Sequence, residues 1–196
     1  SFIGLCEAIL GETNFFVMQH PHKHTYLEEC AEYYSRGWVD ENTLVKFTED
    51  VKESGFKFNK FFSPMCTILI RRNQWHFNDL WWDWYIKGGI RDQLSFSVAL
   101  QLSKTKFETD DARSFLNRFT DAEPDGVWWK NRTGDYKYCE GGDPNHLVDK
   151  LSKITGLNKT MRYRAARLKK TGQLILGDRS KYFTKNDPVL EIINGI

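Results

Sequence analysis

No apolar run in the chain approaches the about 18–20 residues needed to cross a bilayer, which excludes a membrane-spanning helix within these 196 residues. Net charge is also nearly absent. Lys and Arg number 28 against 26 Asp and Glu, so no global field draws the chain to nucleic acid. Cys6, Cys30, Cys66 and Cys139 are widely spaced and form no CxxC pair, which argues against a zinc site or a disulfide framework. They read as thiols and favour a cytoplasmic setting. No repeat, low-complexity tract or signal peptide is visible. Ser1 opens SFIGLCEAIL, which reads as the inside of a helix, so an N-terminal portion is expected to be missing. If that portion carries an anchor, a Golgi lumen is the alternative compartment.

What is abundant is aromatic. Phe, Trp and Tyr make up 15% of the chain, with seven Trp and eight Tyr. Such rings fill cores, and they also stack on sugars and bases. The remaining composition, 40% hydrophobic and 28% charged, is that of a soluble globular chain with one well-buried core.

Periodicity places the elements. SFIGLCEAIL is a helix stopped by Gly11, and FFVMQ (15–19) is a short strand. A helix is expected from Thr25 to Arg36 with Gly37 as its stop, and another from an Asp40 cap to about Gly55. CTILIRR (66–72) reads as a buried strand. In the helix that follows, Phe77, Trp81 and Trp84 share a face, from which Asp79, Trp82 and Asp83 are displaced. A largely buried helix starts at Asp92, read as its N-cap. A third helix is expected over Thr109–Phe119, and more over Asn145–Thr155 and Asn158–Lys170, with QLILG as a small strand. The fold class is therefore α/β and helix-rich, a mixed sheet flanked by helices.

Four stretches carry possible chemistry. His20, His22 and His24 alternate in HPHKH, and on an extended strand they would face one side as metal ligands do. Pro21 opposes that pairing, which leaves one histidine as a substrate contact, or a solvated loop, as the alternatives. Arg71 and Arg72 end a strand, where open α/β sheets often place ligands. Lys159, Arg162, Arg164, Arg167, Lys169 and Lys170 make a basic stretch, but no nucleic-acid module surrounds it, so nucleic acid is not the expected partner. Finally, Arg91-Asp92-Gln93 gathers a guanidinium, a carboxylate and an amide at a loop-to-helix junction, a set suited to a hydroxyl-rich, phosphate-bearing ligand.

The motif order His20-Pro21, Tyr26-x-Glu28-Glu29, Ile70-Arg71, a Trp-rich helix and Arg91-Asp92-Gln93-x-Ser95-Phe96 resembles a glycosyltransferase-like domain family. That family is known from plant Golgi proteins and occurs also in bacteria and viruses. The resemblance spans roughly residues 15–103, and RDQxSF is its most specific element. It implies a GT-A-like fold, here partial and lacking its N-terminal nucleotide-binding half, with 1–120 as the glycosyltransferase-like part and 121–196 as a helical extension packed on it. It also implies sugar transfer from a nucleotide-sugar donor to a glycan or other hydroxyl acceptor, with Mn²⁺ or Mg²⁺ on the diphosphate in the complete enzyme. Asp92 would be the catalytic carboxylate, while Arg91, Gln93, Arg71, His20, His24 and Trp82 would bind substrate. Two departures stand out. No Asp-x-Asp metal motif is present, since Asp110-Asp111 has the wrong spacing, and HPHKH lacks the family's usual arginine, leaving Lys23 or His24 to substitute. The alternatives to an enzyme are a non-catalytic carbohydrate- or nucleotide-binding module and an aromatic-rich interaction protein.

Overall fold

The structure is a computed structural model that describes residues 2–20, 25–72, 74–88, 91–111, 139–158, 164–168, 174–177 and 190–193. In chain order the described elements are α1 (Phe2–Leu10), β1 (Phe15–Gln19), α2 (Tyr26–Ser35), α3 (Glu41–Glu53), a 3₁₀ turn (Phe58–Lys60), β2 (Pro64–Arg71) and α4 (Trp75–Lys87). They continue with α5 (Asp92–Leu102), β3 (Glu108–Asp111), α6 (Pro144–Thr155), β4 (Arg164–Leu168), β5 (Leu174–Gly177) and β6 (Leu190–Ile193). The class is α/β, rich in helix.

These elements fall into two compact units. The first comprises Ser1–Thr25, Lys60–Lys87 and Arg91–Asp135. Its sheet has the order β2-β1-β3, with β2 antiparallel and β3 parallel to the central β1, so it is mixed. Phe15, Phe16, Val17 and Met18 of β1 are all buried. Side chains alternate across a strand. Phe15 and Val17 accordingly meet Phe77 of α4 and Phe96, Ala99 and Leu100 of α5. Phe16 and Met18 meet Leu10 of α1 on the opposite face. A strand covered on both faces must read as a continuous apolar run, and FFVM does.

Aromatic contacts dominate the α4/α5 side of this sheet. Phe77 stands edge-on to Phe15 at 4.9 Å and to Phe96 at 5.1 Å, and Trp81 lies edge-on to Phe96 at 4.9 Å. Gly11, at φ 51°, ends α1 in the left-handed region that favours glycine. Arg72 then ties the turn after α1 to the end of β2. Its backbone N–H and Nη1 donate to Asn14, and Nη2 pairs with Glu7.

The second unit comprises Tyr26–Asn59, Gly88–Ile90 and Tyr136–Ile196. Leu44, Phe47, Thr48 and Val51 recur at i, i+3, i+4 and i+7 on α3 and are buried. Asp40 caps α3 by accepting from the Thr43 backbone N–H at 3.0 Å and from its hydroxyl at 2.7 Å. Asp143 caps α6, Pro144 occupies its first turn, and Gly156 closes it at φ 72°. α6 packs on α2 and α3. Beneath them Thr48 gives its hydroxyl proton to the Leu44 carbonyl, so Tyr26 is the donor in the 2.9 Å contact between the two hydroxyls. Burial pushes both Tyr26 and the Cys30 thiol well above their ordinary pKa values, keeping them neutral. A separate antiparallel sheet has the order β5-β4-β6.

Three sequence expectations are corrected here. The helix anticipated over Thr109–Phe119 begins as the edge strand β3, and 112–119 lie outside the described residues. Within Asn158–Lys170, Arg164–Leu168 forms β4 instead of helix. The division at 120 into a glycosyltransferase-like part and a helical extension is not the one found. The units are interleaved along the chain, and the later residues supply three strands besides α6.

Candidate functional site

Arg91-Asp92-Gln93 stands at the start of α5, within the first unit, and all three residues are half-buried. The structure corrects the role expected of Asp92. The N-cap is Arg91, in an extended conformation (φ −108°, ψ 136°), and it makes no side-chain cap hydrogen bond. Asp92 is the first helical residue, and its backbone carbonyl accepts from the Ser95 hydroxyl at 3.0 Å. Unlike the N-cap residues of α3 and α6, Arg91 therefore makes no cap bond with its side chain. A helix start carries the positive end of a dipole, which favours an anion. The carboxylate of Asp92 lies in the first turn, where that dipole favours negative charge.

Arg71 occupies the last position of β2, opposite Phe15. Its Nη1 donates to Asn78 Oδ1 on α4, and partial burial lowers its pKa from the ordinary arginine value. His20 follows the other end of β1, and its backbone N–H donates to the Ser63 carbonyl at 2.9 Å. Because β2 runs antiparallel to β1, Arg71 and His20 lie at opposite ends of the ladder. Five strand steps separate them, about 16 Å. The strand-end argument therefore fails for Arg71. The shared C-terminal end of the parallel pair β1 and β3 carries His20 and Asp110-Asp111. His22 and His24 lie outside the described residues, as does the three-histidine arrangement. Among the described residues, no group of three His, Cys, Asp or Glu is placed to hold a metal ion.

α4 separates its faces as the spacing indicated. Phe77 and Trp84 are buried and Trp81 packs inward, whereas Asp79, Trp82 and Asp83 are exposed. The Trp82 ring stacks on Tyr85 at 5.8 Å and 19°. Sequence reasoning missed Trp75 and Ile86, which stand outward on the same side of α4 as Trp82. Their spacing of seven and four residues from Trp82 was the available signal. It also missed Ser63, a buried residue whose hydroxyl has no hydrogen-bond partner among the described residues. Its type and position offered no sequence signal.

The structure thus brings Arg71 to the α4 helix that carries Trp82, and keeps Arg91, Asp92 and Gln93 together. It sets His20 at the far end of the strand ladder from Arg71. No protein-family model, no curated protein and no solved structure matches the chain.

Proposed function

We propose that the chain is a glycosyltransferase-like domain whose donor sugar is held at the start of α5. The observation that carries this reading is the half-buried Arg91-Asp92-Gln93 set on a helix start without a side-chain cap. Arg91 and the positive end of the α5 dipole offset the charge of the donor diphosphate. Gln93 hydrogen-bonds a hydroxyl of the transferred sugar. Asp92 takes the proton of the acceptor hydroxyl as that oxygen bonds to the anomeric carbon. The anomeric carbon–phosphate oxygen bond breaks, and the nucleoside diphosphate leaves with the electron pair. A divalent cation, Mn²⁺ or Mg²⁺, would supply further charge neutralisation in a complete enzyme. The described residues form no ligand set for it, so no step is routed through it.

His20 and Arg71 do not contact one sugar ring together, because about five strand steps (~16 Å) divide them. The test is hydrolysis of a panel of nucleotide sugars in the presence of Mn²⁺. The native chain is expected to hydrolyse at least one donor, with Gln93→Ala and Arg91→Ala weakening donor binding. Unchanged hydrolysis in Asp92→Asn and Gln93→Ala would overturn the assignment.

A second reading, a non-catalytic carbohydrate-binding module, is favoured by the exposed indoles of α4. It predicts glycan binding with no donor hydrolysis.

A further inference from the structure

We infer that the outward face of α4 is a platform for a linear, neutral oligosaccharide. Trp75, Trp82 and Ile86 are 70%, 62% and 64% exposed, and they account for three of the four large exposed hydrophobic residues among those described. Positions i, i+7 and i+11 fall on one side of a helix, so these residues form a single stripe. Leaving such side chains in water is costly, and a contiguous patch of them marks a binding surface.

Three features of the face choose the occupant. The first is area. Two indoles and one isoleucine, each about two-thirds exposed, present on the order of 400 Å². A stable protein interface needs about 800 Å² from each partner. A second copy of the chain, or another protein, would have to draw about half of its contact from the polar surface around the stripe.

The second is charge. Asp79 and Asp83 are exposed on one flank of the stripe, while Arg71 is tied to Asn78 on the other. The Asp79 and Asp83 carboxylates repel a polyanion, which disfavours nucleic acid and acidic polysaccharides. The guanidinium likewise disfavours a polycation. A neutral polyol suits groups of both signs, because each of its hydroxyls both donates and accepts.

The third is shape. Trp75 and Trp82 are two helical turns apart, about 10 Å along the axis, comparable to two hexose rings in an extended chain. Tyr85 backs the Trp82 ring at 5.8 Å, presenting it as a fixed flat surface. A sugar ring offers a matching flat face of C–H groups, with its hydroxyls at the rim where Asp79, Asp83 and Arg71 stand. Ile86 extends the apolar stripe by a further turn.

The inference rests on the glycosyltransferase-like reading only in naming this glycan as the acceptor. The binding itself stands apart from catalysis. Titration of the 196-residue chain with cellohexaose, xylohexaose, maltohexaose and hexagalacturonate, followed by tryptophan fluorescence and calorimetry without any donor, tests it. At least one neutral hexaose is expected to bind and change the indole emission, at least tenfold more tightly than its monosaccharide and than hexagalacturonate. Trp82→Ala is expected to weaken that binding at least tenfold and Trp75→Ala several-fold, with Trp82→Tyr restoring most of it. Circular dichroism serves as the check on folding, since both indoles are exposed. The inference is overturned if no neutral hexaose binds, if hexagalacturonate binds best, or if Trp82→Ala binds as the native chain does. A dimer seen by light scattering and lost in Trp82→Ala would also overturn it, by assigning the face to a second copy. Binding without donor hydrolysis would keep this inference and discard the transfer reading, while hydrolysis without binding would do the reverse.

Discussion

Asp40 and Asp92 look alike in sequence, each a carboxylate before an amphipathic run, yet only Asp40 caps its helix. Asp40→Ala is therefore expected to cost about 1 kcal/mol in denaturant unfolding. Asp92→Ala should cost only a few tenths, the contribution of a first-turn charge to the helix dipole. A cost for Asp92→Ala as large as that for Asp40→Ala would contradict the assigned cap. Glu41 gives a pH prediction. Lys150 holds its carboxylate below the ordinary glutamate value of 4.5, with help from His146 and from the Tyr34 hydroxyl at 3.4 Å. A lowered carboxylate pKa contributes stability above the unfolded value and loses it as pH falls through the folded one. Thermal unfolding of Glu41→Gln should therefore match the native chain most closely below pH 4.5 and fall behind it above. The gap should be small, because the pair lies at the surface with the Lys150 side chain about half exposed. The opposite slope would refute the pairing of Glu41 with Lys150.

At the scale of elements, local pattern was enough wherever burial and propensity agree. FFVMQ reads as a strand and is one, and the stripe of Phe77, Trp81 and Trp84 identified the inward face of α4. It failed where tertiary pairing overrides local preference. ETDD has little β propensity and becomes β3 by pairing alongside β1, while RAARL is rich in helix formers and becomes the centre of a sheet. The close approach at Gly141 was equally invisible. A Cβ there would lie 2.4 Å from the Ser35 carbonyl oxygen at the end of α2. Gly141→Ala must displace backbone, and we expect it to destabilise by about 1–3 kcal/mol. Phe77→Ala removes a ring buried between β1 and α5 and is expected to cost about 3–5 kcal/mol. Urea titration of both variants checks these values. A neutral Gly141→Ala would show that the 139–142 strand of chain does not lie against α2.

At the scale of the molecule, residues far apart in the chain are gathered into two interleaved units, so no cut at a single position recovers either. Part of the candidate site was legible for a simple reason. Arg91, Asp92 and Gln93 are consecutive, so their proximity needed no knowledge of the fold. The placement of His20 and Arg71 depended on strand direction, which the residues themselves do not encode, and the antiparallel β2 separates them. The outward indoles of α4 were legible in part, Trp82 as a residue off the core stripe and Trp75 only through its seven-residue spacing from Trp82. The glycosyltransferase-like reading stands or falls with Asp92, whose substitution leaves the helix nearly intact. The most direct measurement is the rate of nucleotide-sugar hydrolysis by Asp92→Asn relative to the native chain, with both shown to be folded. Loss of a positioned proton acceptor predicts a fall of about 10²–10⁴-fold with the donor still bound. An unchanged rate, or no hydrolysis by the native chain of any donor in the panel, would contradict it.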